Sequence, residues 1–218
     1  RLVGLGFPTA LQMIFEVALF TVSIFLAEMR GANEQAANLI ALNLASMTFM
    51  IAVGISVTAT IRVGNQKGQR NFIELRRIAF SIFFMVLVIQ AFFALMFILT
   101  KDILPTYYID NAEVIQIAST LLIAATIFQL SDGLQVVFLG ALRGLQDVKI
   151  PSWICFIAYW LVGFPACYYL SREDVLGPMG IWLGLFAALT ASAVLLYLRF
   201  NFLTKRLIAN AKTLHVRL

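Results

Sequence analysis

Long apolar stretches separated by short polar segments make up most of this chain. A helix that crosses the hydrocarbon core of a membrane, about 30 Å thick, needs roughly 20 consecutive, mainly apolar residues. Six stretches meet that length, and we predict helices over residues 4–27, 36–61, 78–99, 114–142, 150–170 and 178–198. The pattern therefore predicts an all-α membrane protein in which residues 1–200 form a six-transmembrane-helix bundle.

The pattern changes after residue 200. Residues 201–218 place apolar side chains such as Phe202 and Leu207 along one side of a helix, and basic side chains such as Lys205 and Arg206 elsewhere. An amphipathic helix with a basic polar face lies in the membrane interface. We therefore predict that residues 201–218 form a basic amphipathic tail on the cytoplasmic side.

Composition and charge placement support a membrane protein. Hydrophobic residues make up 61% of the chain and charged residues only 12%, whereas soluble domains have about 25% charged residues. The 16 Lys and Arg residues divide as 13 and 3 between alternate segments that flank the predicted helices. The positive-inside rule then predicts that both chain ends are cytoplasmic. The net charge of +5 needs no nucleic-acid partner to explain it.

Two acidic residues, Glu16 and Asp132, fall inside the predicted helices. A charged carboxylate at the middle of a membrane helix costs about 3 kcal/mol, so such residues usually face a protein interior or a wet cavity and serve a function. Glu16 lies twelve residues from Gly4, and Asp132 lies eleven residues from Arg143. At about 1.5 Å per residue, both carboxylates are expected roughly half-way across the bilayer.

Polar neighbours at helical spacing indicate that both acids face inward. Burial and a like-charged neighbour favour the protonated form of a carboxyl group, so such a pair could exchange protons near neutral pH, or bind a small cation if both stay ionised. The polar neighbours are Thr9, Gln12 and Ser23 on the first helix, Asn43 and Ser46 on the second, and Gln129, Ser131 and Gln135 on the fourth.

Enzyme chemistry has little support in the sequence. His215 is the only histidine, so a zinc site or a histidine-based catalytic triad is not expected, and no cofactor is predicted. Two buried acids could share a proton across a water molecule, which leaves an intramembrane carboxyl protease as a remote alternative. We therefore predict that the chain is not an enzyme.

Glycine and proline positions are interpreted mainly as packing features. Gly180 and Gly184 form a small-xxx-small step that lets a neighbouring helix approach closely. Gly140 and Gly144 have the same spacing, but they flank Arg143 at the membrane border, so we expect a helix end cap there. A proline deep in the fifth helix, at position 165, is expected to kink it.

Three stretches resemble multidrug and toxic compound extrusion (MATE) transporters. They are GFPTALQMIFEVALF at 6–20, IALNLASMTFMIAVGISVTATIRVGN at 40–65 and SDGLQVVFLGALRGLQDVKIP at 131–151. The most specific parts are the Phe15-Glu16 pair, the basic-Val-Gly-Asn run at 62–65, and the run from Asp132 to Gly144. The whole chain is similar, in order, to the C-terminal six-helix lobe of a prokaryotic member, which is one half of a two-lobed twelve-helix transporter.

This resemblance implies a function, a location and partners. It implies a cation-coupled antiporter in the bacterial plasma (inner) membrane, multi-pass, which exports small-molecule organic cations by alternating access. The partner would be the N-terminal six-helix lobe of the parent chain, besides membrane lipid. Glu16 and Asp132 match the positions that carry the coupling ion, which is Na⁺ or H⁺, and would be the metal ligands if the ion is Na⁺. Asn43 ranks third, because eukaryotic relatives tend to carry an acid there.

The resemblance also suggests which residues line a pocket. Phe49 stands where some relatives have a tyrosine that touches the ion, so that ligand is expected to be missing. A lipid-linked saccharide flippase of related architecture is the nearer alternative function. It would be expected to have a basic intramembrane cavity, whereas all Lys and Arg residues here fall outside the predicted spans. The candidate pocket-lining residues are Gln12, Ser46, Phe49, Phe128, Gln129 and Gln135.

Overall fold

The computed structural model describes residues 2–172 and 176–215, with side chains for residues 4, 6–172 and 176–211. Its helices confirm the predicted all-α fold, since the described residues contain no strand. All six main helices are long and apolar enough to cross a membrane. They are α1 (Leu2–Glu28), α2 (Ala32–Gly68), α3 (Phe72–Thr100), α4 (Ala112–Gly144), α5 (Lys149–Leu170) and α6 (Pro178–His215), with a short 3₁₀ helix at Leu104–Tyr107 between α3 and α4.

Several helices extend beyond the predicted apolar windows. The predicted segment between the second and third helices covers residues 62–77, but the structure leaves only residues 69–71 outside α2 and α3. Asn71 caps α3 by accepting a hydrogen bond from the Glu74 backbone N–H at 3.2 Å, and Asn111 caps α4 by accepting one from the Glu113 N–H at 3.0 Å. Hydropathy marks the membrane core, whereas capping residues mark where a helix begins.

Two helix ends close with a residue of positive φ that is not glycine. After α2, Arg70 has φ 57°, and after α4, Gln146 has φ 59°. In both cases the following N–H donates back to the helix, from Asn71 to the Gln66 carbonyl at 3.1 Å and from Asp147 to the Leu142 carbonyl at 3.0 Å. These bonds satisfy carbonyls that the helix leaves unpaired and end α2 and α4 sharply.

The predicted tail is continuous with the last membrane helix. No break occurs at residues 200–201, because α6 runs on to His215. Arg76 of α3 donates to the Asn201 side-chain oxygen at 2.5 Å, and Thr204 is fully buried. Residues 201–204 therefore pack against the bundle rather than starting a separate element. The side chains of 212–215 and residues 216–218 lie outside the described part, so the interfacial position of this tail stays a prediction.

Helix α4 lies at the centre of the bundle and contacts α2, α3 and α6. Its contact with α2 is close, because a Cβ atom placed on Gly144 would lie 2.6 Å from the Thr60 carbonyl oxygen. The hydroxyl groups of Ser56 and Thr60 donate across it to the carbonyls of Val136 and Gly140, at 2.7 and 2.9 Å. The expected end cap at Gly140 and Gly144 is therefore wrong, and both glycines serve close helix packing.

Helix α5 is irregular in its middle. Residues Ile157–Gly163 form a π-helical segment between two α-helical parts. Pro165 lies two residues after this segment. It lacks the N–H that a regular helix would donate one turn back, which favours a local change of hydrogen bonding. The small residues of α6 pack here as predicted, since a Cβ atom on Gly184 would lie 2.6 Å from the Cys167 Cα atom.

Helix α1 is the least buried of the six. Within its most apolar stretch, 22% of α1 is buried, compared with 56% of the corresponding stretch of α4. It is fixed to α5 by a hydrogen bond from the Ser152 hydroxyl to the Pro8 carbonyl at 2.7 Å. The other side of α1 lines a cavity together with α2 and α4.

Candidate functional site

A cavity of about 460 Å³ lies between α1, α2 and α4. Its wall is mostly apolar and aromatic, and its charged groups are two carboxylates and one guanidinium. The lining residues on α2 recur at spacings of three and four, as one face of a helix requires. The residues predicted from the sequence that do line it are Gln12, Glu16, Ser46, Phe49, Phe128 and Asp132.

The structure brings Glu16 and Asp132 to this one cavity from different helices. Asp132 is 4% exposed, and its Oδ1 atom is buried without a hydrogen-bond partner among the described residues. Glu16 is half-buried and lines the same cavity from α1. A buried carboxylate oxygen without a partner is costly, so this atom is suited to a bound proton, cation or water molecule.

Asn43 is not brought to the cavity. Its side chain is exposed, and its amide oxygen accepts a hydrogen bond from the Tyr108 hydroxyl at 2.9 Å. Asn43 follows the lining residue Leu42 by one position, which turns it by roughly 100° away from the lining face. We therefore leave Asn43 out of the proposed cation site.

Gln129 and Gln135 also lie outside the cavity wall, although both are buried. The Thr48 hydroxyl donates to Gln129 Oε1 at 3.0 Å, and Gln135 donates to the Tyr159 hydroxyl. Three residues on either side of Asp132 turn the helix by roughly 60°, which is enough to point these amides into helix contacts instead. They hold α4 against its neighbours.

Sequence reasoning missed three polar residues. Arg143 lines the cavity, and its Nε atom is buried without a partner among the described residues. Arg143 lies one residue beyond the predicted span 114–142, but α4 continues to Gly144 and the cavity reaches this residue. Gln90 of α3 is 1% exposed, and both atoms of its side-chain amide have no partner in the described part of the chain. Tyr159 is fully buried. Gln90 could have been found, since an amide inside an apolar window is itself a signal.

The donor set suits a weakly held cation rather than a resident metal. The described residues contain no cluster of three or more His, Cys, Asp or Glu side chains that could hold a metal ion. The cavity offers the carboxylates of Glu16 and Asp132, with neutral oxygens from Gln12 and Ser46. Oxygen ligands of this kind bind hard cations or protons.

A second crevice, of about 350 Å³, lies between α1 and α5. Five aromatic or ring-bearing side chains and Lys149 contribute to its wall, and its lining contains no carboxylate. Of these two spaces, the cavity of Glu16 and Asp132 is therefore the one with the chemistry for a cation.

Six apolar helices around a cavity with two carboxylates are typical of one lobe of a membrane transporter. Residues 8–169 match the sequence profile of the MatE family. The chain belongs to this family, so the resemblance seen in the sequence is confirmed. Because the family consists of transporters, membership agrees with the prediction that the chain is not an enzyme, and it removes the support for an intramembrane protease.

Known proteins show how much of a family member the chain covers. Multidrug resistance protein MdtK of Proteus mirabilis (strain HI4320) is 38% identical over 200 residues, which are 90% of this chain and 44% of that protein. Probable multidrug resistance protein NorM of Xanthomonas campestris pv. campestris is 38% identical over 211 residues, 97% of this chain and 46% of that protein. The chain thus spans about half the length of the curated relatives it matches.

Solved structures show the same fold. The crystal structure of the eukaryotic MATE transporter AtDTX14 superposes with a TM-score of 0.85 at 19% sequence identity, over 94% of this chain and 47% of that one. At this identity the likeness concerns the fold alone. It confirms the predicted six-helix bundle as one half of a larger transporter fold.

Proposed function

We propose that this chain is the ion-coupling half of an antiporter that exports organic cations. The observation that carries the proposal is the cavity shared by Glu16 and Asp132, in which carboxylates outnumber the single guanidinium of Arg143. An acidic, largely apolar cavity attracts lipophilic cations and disfavours anions. The relatives at 38% identity are named as multidrug resistance proteins, which fits cargo of this kind.

The same carboxylates can serve the coupling ion and the drug in turn. A proton or Na⁺ on Glu16 or Asp132 would neutralise the charge that attracts an organic cation, so the two ligands would disfavour each other. The aromatic side chains of Phe20, Phe49 and Phe128 line the same space and can contact a cation through their ring faces. Methionine side chains from α1 and α2 add adaptable apolar surface, as a broad drug spectrum requires.

We further propose that the partner is a second, N-terminal six-helix lobe of the parent chain. The first support is length, because the chain spans about half of its relatives. The second is α1, where Met13, Ile14 and Val17 are 58–62% exposed beside the cavity. Alternating access would then move the two lobes against each other, and these 218 residues alone would bind a cation without transporting it.

The orientation proposed from the charges places the end of the bundle with Arg62, Arg76 and Arg77 in the cytoplasm of a bacterium. Both chain ends lie on that side if six crossings are made, since an even number returns the chain to its starting side. The membrane would be the plasma (inner) membrane.

Efflux of ethidium from vesicles of cells that express the full-length gene product tests the proposal. Wild-type protein should export ethidium when a Na⁺ or a proton gradient is imposed, and the gradient that works identifies the ion. Glu16→Gln and Asp132→Asn should each lower ion-driven efflux by about tenfold or more, because each removes a negative charge from the cavity.

Asp110→Asn is the matched control, because Asp110 lies in a connecting segment outside the cavity. It should leave efflux unchanged. Wild-type efflux that ignores both gradients, or unchanged coupling in both cavity variants, would refute the proposal. Export by residues 1–218 alone would refute the need for a second lobe.

One observation favours the second candidate, a lipid-linked saccharide flippase. Arg143 places a basic group in the cavity, where an anionic lipid-linked substrate would need one. The two carboxylates argue for the cation exporter, because they would repel a pyrophosphate. Translocation of a fluorescent lipid-linked saccharide in the same vesicles, with no ethidium efflux, would reverse this order.

A further inference from the structure

Three charged side chains share the cavity, and none of them forms an ion pair with another described residue. Within the described part of the chain, the ion pairs join other residues, and Glu16, Asp132 and Arg143 belong to none of them. Asp132 Oδ1 and Arg143 Nε are buried without hydrogen-bond partners. Buried charges are usually paired, so charges left without a partner in one cavity point to a role in binding.

The position of Arg143 is fixed by its backbone. Gly140 and Gly144 on either side of it pack against the carbonyls of Ser56 and Thr60, so the α4 backbone is held there. Side chains of a helix tilt toward its N-terminus. The Arg143 side chain near the end of α4 therefore leans back into the cavity, toward Asp132, whose Cα atom lies roughly 16 Å away along the helix.

Arg143 and Glu16 share this cavity. They line it from different helices, α4 and α1, so their opposite charges act on each other across it. Glu16 belongs to α1, the least buried helix, whereas Arg143 belongs to α4 at the bundle centre. The pair thus joins the loosely held wall of the cavity to its fixed wall.

We propose that Arg143 is an internal counter-charge that competes with the transported cation for Glu16. The guanidinium lies in the same cavity as Glu16 without forming an ion pair with it, and its positive charge offsets part of the negative charge that attracts a cation. A cation that binds at Glu16 must do so against the repulsion of the guanidinium, so Arg143 lowers cation affinity and keeps the bound cation exchangeable. Arg143 is therefore an affinity-setting residue rather than a ligand of the cation.

This inference rests on the proposed function, and equilibrium binding separates the two. Binding of radiolabelled tetraphenylphosphonium, a lipophilic monovalent cation, is measured on the purified full-length gene product at fixed pH and salt. Arg143→Gln should tighten binding by roughly five-fold or more, within the range found for coupled sites. Arg143→Lys should stay near the wild-type affinity, because it keeps a positive charge.

The double variant decides whether Glu16 is the partner. In a Glu16→Gln background, Arg143→Gln should no longer change the affinity for the cation, because the carboxylate whose charge Arg143 offsets has been removed. Arg62→Gln is the matched control, since Arg62 is exposed and does not line the cavity. It should leave binding unchanged. Arg143→Met, which also removes the charge, replaces Arg143→Gln if that variant fails to fold.

Each result has a defined meaning. If Arg143→Gln leaves the affinity unchanged while Glu16→Gln weakens binding, this inference is overturned and the proposed function stands. Equal tightening with and without Glu16 also overturns it, because Arg143 would then act as a general positive charge. Absence of tetraphenylphosphonium binding by the wild type overturns both.

Discussion

The two faces of α4 differ in how their polar groups are satisfied. On the sealed face, Gly140 and Gly144 pack against Ser56 and Thr60 of α2 at the edge of the cavity, and the two hydroxyl groups donate across the contact at 2.7 and 2.9 Å. On the cavity face, Asp132 and Arg143 carry buried polar atoms without partners among the described residues. Neighbouring turns of one helix thus meet opposite conditions.

The difference separates scaffold from site. A sealed contact in which every polar atom is paired has one favoured geometry, and it holds α4 in place. Unpaired charges lower stability until a ligand pairs with them, so the cavity face is suited to reversible binding of a ligand. Asp132 and Arg143 can serve a ligand because the adjoining contact of the same helix with α2 is closely packed.

The largest expected effect comes from opening the sealed face. In Gly144→Ala the new Cβ atom would lie 2.6 Å from the Thr60 carbonyl oxygen, so the backbones must separate. We expect a loss of about 3 kcal/mol in the free energy of unfolding in detergent. Gly54→Ala on α2, where a Cβ atom meets nothing within 4 Å, should not lower stability. Equal stability of the two variants would contradict the contrast.

The cavity face should respond in the opposite direction. Asp132→Leu removes an unpartnered buried carboxyl group, so we expect the free energy of unfolding to rise by about 2 kcal/mol while transport is lost. Gln129→Leu is the matched change one turn away, and it should destabilise, because Gln129 accepts a hydrogen bond from Thr48. Chemical denaturation in detergent measures both, and a loss of stability in Asp132→Leu would show that this carboxyl group is paired.

A smaller effect tests a buried hydrogen bond between α6 and α2. Trp182 is fully buried, and its indole N–H donates to the Asn38 side-chain oxygen at 3.0 Å. Trp182→Phe should lower the free energy of unfolding by about 1 kcal/mol, because the hydrogen bond in an apolar surrounding is lost. Trp153→Phe, at a side chain that is 66% exposed, provides the control and should change little.

The smallest effect concerns the N-terminal end of α4 and depends on pH. The Ser119 hydroxyl donates to Asp102 at 2.5 Å, and this bond, with Lys101, lowers the pKa of Asp102 below its ordinary value. A lowered folded-state pKa stabilises the fold above the ordinary pKa, and that contribution is lost as pH falls through the lowered value. Ser119→Ala should therefore unfold at a lower temperature than wild type at pH 7.

The difference between Ser119→Ala and wild type should vanish in strong acid, where Asp102 is protonated in both. Thr120→Val serves as the control, since the Thr120 hydroxyl donates to the Gln116 carbonyl of its own helix. It should show no such pH dependence. A Ser119→Ala deficit that persists unchanged into strong acid would mean that the hydroxyl acts through packing.

The sequence was sufficient for the fold because apolar length alone identifies membrane helices. It was also sufficient to predict that Glu16 and Asp132 face the interior of the bundle, since the cost of an intramembrane carboxylate limits where such a residue can face. It failed for Asn43, where one residue of helix phase decides between cavity and surface. It failed for Arg143 because hydropathy ends at Leu142 although the helix does not. Tyr159 lies in a π-helical segment, which shifts the helix phase in a way that composition does not reveal.

The left-handed residues Arg70 and Gln146 have a practical consequence for protein engineering. Each occupies a backbone conformation that costs a side-chain-bearing residue about 1 kcal/mol and that glycine adopts without strain. Both positions lie in connecting turns outside the cavity of Glu16 and Asp132. Glycine at both positions should therefore raise the stability of the purified protein for crystallisation or cryo-microscopy, and it leaves the residues that line the cavity unchanged.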